Sequence, residues 1–107
     1  MVILNLNNQD MELRYDFNSI CAIEERSGKG IHSLMKEDVA GLNLLRLLVW
    51  AGLRWKNPNI SIDIVGTWIG QEIKKGSKID YFAEKSMKAL IDSGVLGNMD
   101  ENVVEGE

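Results

Sequence analysis

Two periodicities divide the chain. Residues 2–6 (VILNL) and 11–15 (MELRY) are short runs of β-forming or alternating side chains, separated by the turn-favouring cluster Asn7-Asn8-Gln9-Asp10. In the second run Met11, Leu13 and Tyr15 alternate with Glu12 and Arg14, so one face points inward. This pattern predicts a β-hairpin. A lone hairpin is marginal in water and must rest on other elements.

From residue 16 onward the apolar positions recur at helical spacing. Asp16 or Asn18 can cap a first helix running to about Ser27, with Gly28 as its stop, Phe17, Ile20, Cys21 and Ile23 as its inner stripe, and Glu24-Glu25-Arg26 outside. Gly28 and Gly30 bracket Lys29 and lead into a short helical turn over residues 31–36. The most apolar segment, about 39–56, reads as the central helix. At ~100° per residue, Leu42, Leu44, Leu45, Leu48, Val49, Ala51, Leu53 and Trp55 cover more than half its circumference, so it must be enclosed on several sides. Asn43, Arg46 and Arg54 mark the narrow polar strip that remains, and Trp50 falls in the middle of it.

Asn57-Pro58-Asn59 ends that helix. Ser61 can cap the next, about 62–75, whose core stripe is Ile62, Val65, Ile69 and Ile73. Gly66 and Gly70 lie on or near the same side; each weakens a helix by about 1 kcal/mol relative to alanine, which points to close approach of a neighbouring helix. Ile64 and Trp68, four residues apart, form a second apolar patch off that stripe. The run Ser77-Lys78-Ile79-Asp80 starts a last helix that stops at Gly94, with Ile79, Phe82, Ala83, Ser86 and Leu90 inward and Asp80, Glu84, Lys85, Lys88 and Asp92 in water. The fold class expected is mainly α (α+β): a two-stranded hairpin followed by a bundle of four to five short helices. Residues 1–96 make one domain, and the acidic segment 97–107 is expected to be a mobile tail.

Composition narrows the function classes. With 107 residues, 45% hydrophobic and 26% charged, the chain is ordinary globular material able to bury a core. A formal net charge of −4 argues against a phosphate-backbone partner, hence against nucleic acid. A helix-turn-helix drawn around Asn57-Pro58 would place Ile62, Asp63, Ile64 and Val65 where a recognition helix presents base-reading side chains. No run approaches the ~20 apolar residues of a membrane span, and the N-terminus lacks the pattern of a secretory signal, so the expected location is cytoplasmic.

Candidate chemistry is sparse. Cys21 is the single cysteine and reads as a small buried hydrophobe; His32 is the single histidine, without acidic or thiol neighbours at metal spacing. Ser27-Gly28-Lys29-Gly30 lacks phosphate-loop spacing and follows a helix rather than a strand. Adjacent carboxylates such as Glu24-Glu25 point in different directions on a helix. The sequence therefore predicts no catalytic, cofactor or metal site. Its unusual feature is three tryptophans, a residue favoured in cores and at binding hot spots. Trp55 lies on the apolar arc and is expected in the core, whereas Trp50, Ile64 and Trp68 lie off the main stripes, which places the two tryptophans either at the core boundary or on a partner surface. With Arg46 and Arg54 these three residues form the predicted protein-binding set.

The order of these pieces is also familiar. A hairpin, Leu13-Arg14-Tyr15-Asp16-Phe17-Asn18, then Ala22-Ile23-Glu24-Glu25 ending in Ser27-Gly28, then Leu45-Arg46-Leu47-Leu48-Val49-Trp50-Ala51-Gly52-Leu53 before Asn57-Pro58, and Val65-Gly66 beyond, resembles the tail assembly chaperones of long-tailed bacteriophages and the related small protein of gene transfer agents. The resemblance covers roughly residues 2–75. It implies a non-catalytic phage or prophage protein that binds and solubilises the tape measure protein until tail tube subunits replace it, and is absent from the mature virion; self-association along that client is a further expectation, beside the resemblance. The alternative is a small structural or adaptor protein of a phage tail or head-tail connection.

Overall fold

The computed structural model describes residues 1–36 and 41–97. The expected tail from 98 onward, and the expected start of the central helix at Val39, lie outside the described residues. Strands β1 (Val2–Leu6) and β2 (Gln9–Leu13) pair antiparallel, with Val2 opposite Leu13 and Leu6 opposite Gln9. Asn7 and Asn8 both take positive φ, 55° and 61°, the two-residue turn whose twist matches the strands it joins. That tight turn is why β2 begins two residues earlier than the sequence pattern indicates. Val2, Leu4, Leu6 and Leu13 line the buried face.

Helix α1 (Phe17–Ser27) opens on a capping box: the Asp16 carboxylate accepts from the Ser19 backbone N–H at 2.8 Å and from its hydroxyl at 2.9 Å. It closes on Gly28, in the left-handed region with φ 76°. Ser19, Ile20, Ala22 and Ile23 are buried. Phe17 and Cys21, expected inside, are exposed. One turn apart, both sit on the side of α1 away from α3, so the inner stripe is narrower than its apolar content indicates. Glu24, expected to face water only, reaches across the break and accepts from the Ile31 N–H at 2.7 Å, supporting the first turn of α2 (Ile31–Lys36).

The Asp16 contacts have a measurable consequence. Donation from the Ser19 N–H, then from the Ser19 hydroxyl, holds the Asp16 carboxyl below its ordinary range. A depressed folded-state value means that this stabilisation is present above the unfolded carboxyl pKa of about 3.9 and is lost as pH falls through the folded one. Asp16→Ala should cost about 1 kcal/mol at pH 7, read as a fall in the denaturant midpoint. Asp16→Asn should retain the cap at pH 7 while flattening the acid limb of the stability profile.

Helix α3 (Leu42–Leu53) is the centre of the molecule and packs against α1, α4 (Ile62–Lys74), α5 (Ile79–Ser93) and β2. From Leu47 to Leu53 every residue is buried. Two of its carbonyls accept from the chain leaving the hairpin: Gly52 from the Arg14 N–H at 2.9 Å, and Leu48 from the Tyr15 hydroxyl at 2.6 Å. Burial pushes the Tyr15 phenol well above its ordinary range, so it stays a donor at any working pH. A Cβ on Gly52 would lie 2.8 Å from Leu13 Cδ2 and 2.9 Å from the Tyr15 ring and hydroxyl oxygen. Gly52 is therefore the slot into which the end of the hairpin fits.

α4 starts at Ser61, whose hydroxyl accepts from the Ile64 N–H at 3.1 Å, and buries Val65, Ile69 and Glu72. Ile73, expected on its core stripe, is exposed at the edge. Close approach explains one of its glycines: a Cβ on Gly66 would meet Arg46 Cδ at 2.9 Å, whereas Gly70 has open space above it. α5 packs on α3 and β1 through Phe82, Ser86, Ala89 and Leu90, and ends on Gly94 with φ 75°. The Ser86 hydroxyl is fully buried facing Tyr15, outside hydrogen-bond geometry. Ile79, expected inward, is exposed in the first turn of α5.

Candidate protein-binding surface

Trp50, open between core boundary and partner surface on the helical wheel, is in the core, and Trp55, expected in the core, is not. Trp50 is 5% exposed, and its indole N–H donates to the Ile60 carbonyl at 2.9 Å. Its position in the polar strip is thus filled by the returning chain at residue 60. Trp55 lies beyond the end of α3, exposed; its indole N–H donates to the Glu12 carbonyl at 2.8 Å and the Arg14 guanidinium lies 4.0 Å above its ring. The helix stops at Leu53, so the helical arc that placed Trp55 in the core does not extend to it.

Around Trp50 the structure builds a cleft. The guanidinium carbons of Arg26 and Arg54 lie 4.7 and 4.8 Å from the Trp50 ring centroid. Such stacking is favourable electrostatically and leaves the charges without a counter-ion. Neither guanidinium has a carboxylate partner among the described residues, and Arg54 Nε is buried without an acceptor. Beside them an open cleft of about 810 Å³ runs between the end of α1, the first turns of α3 and the start of α4. Leu34, Leu44, Leu47, Trp50, Ile60 and Ile62 supply its apolar surface, and Arg26 and Arg46 stand at the rim. Arg46 is half-spent, with Nη1 at 3.7 Å from Asp63 and Nη2 donating to Asn43.

Of the predicted set, then, Arg46 and Trp50 line one cleft and Arg54 joins them by stacking on Trp50. Ile64 and Trp68 belong elsewhere. They occupy the opposite flank of α4 from Gly66 and Gly70. Ile64 is exposed, and Trp68 is partly buried beside Asn7, Gln9, Met11 and the 57–60 turn. Sequence periodicity had no means of finding Arg26, because its partner is 24 positions away on another helix. No local signal marks it either, since a basic residue in the last turn of a helix is favoured by the dipole alone.

Among the described residues no group of three or more His, Cys, Asp and Glu side chains could hold a metal ion, and no helix is long and apolar enough to cross a membrane. His32 is exposed. Comparison with protein-family models, with curated proteins and with solved structures finds no match to this chain.

Proposed function

We propose that this chain is a phage or prophage tail assembly chaperone that binds and shields the tape measure protein during tail assembly, in the host cytoplasm. The observation that carries the reading is the cleft beside Trp50: an apolar floor with two arginines at its rim, Arg26 having no carboxylate partner among the described residues, in a chain whose net charge is −4. A client segment suited to it is an amphipathic helix whose apolar side chains enter the cleft and whose acidic residues meet Arg26 and Arg46 at its rim, as in helix-in-groove recognition. The order of sequence motifs described above supports the same reading. Because the cleft is open to solvent, it suits a client that must later be handed to tail tube subunits.

Co-expression tests this directly. A long tape measure protein encoded beside this chain should move from the insoluble to the soluble fraction when both are made, and should be retained on a tagged copy of this chain. Arg26→Glu with Arg46→Glu should weaken that retention about tenfold or more while leaving the thermal midpoint within a few degrees, since both side chains are solvent-accessible. A client equally insoluble with and without this chain, and never retained by it, would sink the proposal.

A further inference from the structure

We infer that α5 is a self-association surface, on which two copies of this chain pair antiparallel about a two-fold axis. The face in question is absent from the client cleft. Ile79, Ala83, Met87 and Ile91 follow one another at four-residue intervals along α5 and so form a single ridge. Ile79 is 43% exposed, Met87 38% and Ile91 64%, with Ala83 half-buried between them. A ridge of this kind on the outside of a helix is out of keeping with the charged residues beside it.

Its own sequence is complementary to itself. In antiparallel pairing, the register that gives all four residues a partner sets Ile79 against Ile91 of the second copy, and Ala83 against Met87 of the second copy. The two-fold repeats both contacts. Each long Met87 side chain then faces the small Ala83, the knob-and-hole relation that close helix packing requires. Charges agree with the same register. Lys88 of the second copy comes level with a point between Asp80 and Glu84, so each cation meets two carboxylates at the edge of the apolar ridge. Within one chain Lys88 has, among the described residues, the exposed partner Asp92 at 3.4 Å, a contact of little energy that is readily exchanged. A parallel arrangement would set Met87 against Met87 and like charges side by side.

Four side chains of one helix cover less than the ~800 Å² per partner of a standard interface, so the dimer is of the micromolar class. Sedimentation equilibrium of the full chain, with reductant to keep the exposed Cys21 free, should show the mass doubling between about 10 and 500 µM. Met87→Asp should leave a folded monomer across that range, folding being checked by circular dichroism. A mixing test fixes the register. A Lys88→Glu chain, and a second chain carrying Asp80→Lys and Glu84→Lys, should each dimerise about tenfold or more weakly alone, and should form a one-to-one heterodimer when mixed. A wild-type monomer throughout, a dimer indifferent to Met87→Asp, or no heterodimer on mixing would each overturn the inference.

Discussion

Gly52→Ala is expected to destabilise the protein by about 3 kcal/mol, near the top of the range for overpacking a filled core. Helix propensity alone gives the opposite sign, since alanine in a helix is favoured over glycine by about 1 kcal/mol. The neighbours decide. A methyl group at this position would stand 2.8–2.9 Å from Leu13 and from the Tyr15 ring and hydroxyl, both held between the hairpin and α3, so the end of the hairpin has to move outward. Moving it strains the Tyr15 bond to the Leu48 carbonyl and the Arg14 bond to Gly52 itself. Gly70→Ala is the control: open space lies above that glycine, and the same substitution should there stabilise by about 0.5–1 kcal/mol. Denaturant unfolding of the two variants should move the midpoint in opposite directions. Equal stabilisation of both would show that the hairpin is not seated in the Gly52 slot.

Trp50→Ala should be the more damaging of the tryptophan truncations, at about 3–5 kcal/mol, a large part of the stability of a domain of this size. The side chain is nearly fully buried, and its removal also leaves the Ile60 carbonyl without its donor and Arg26 and Arg54 without the ring beneath them. Trp68→Ala removes a half-buried ring with no hydrogen bond to its indole among the described residues, and should cost less, about 1–2 kcal/mol. The comparison matters for the functional reading. Loss of client binding in Trp50→Ala would follow from unfolding and says nothing of contact, whereas the arginine variants at the cleft rim test contact with the fold intact. Thermal midpoints that fall equally for the two tryptophan variants would contradict the placement of Trp50.

The elements were legible because local signals and tertiary structure agree over most of the chain. Asp16, Gly28, Ser61 and Gly94 punctuate helices as their side chains or lack of them dictate, and the hairpin follows from alternation plus asparagines. What the periodicity could not supply was the breadth of each buried face. Phe17 and Cys21 are apolar at helical spacing yet lie on the outer side of α1, and Ile79 is exposed in the first turn of α5. Trp55 lies outside the core, and Trp50 inside it, for a related reason: the wheel assumed a helix through residue 56, while the chain turns after Leu53 and comes back over Trp50 at Ile60. Arg46 and Arg54 were found from their place in the polar strip, but their relation to Arg26 exists only in three dimensions.

The motifs behind the family resemblance take on a physical meaning as well. Leu13 and Tyr15 of the first block meet Gly52 of the second, and Arg14 of the first bonds its carbonyl. These residues form the joint between hairpin and central helix, so they specify how the chain folds. The surface proposed to meet a client is carried by other side chains, chiefly Arg26 and those around the cleft.

Hydrogen exchange of the complex with a tape measure protein tests that assignment most directly. Added protection is expected at the end of α1, over the first turns of α3 and at the start of α4, around Arg26, Leu44, Arg46 and Ile62. Protection confined to the hairpin, or to the Ile64–Trp68 flank of α4 with the cleft unchanged, would contradict it.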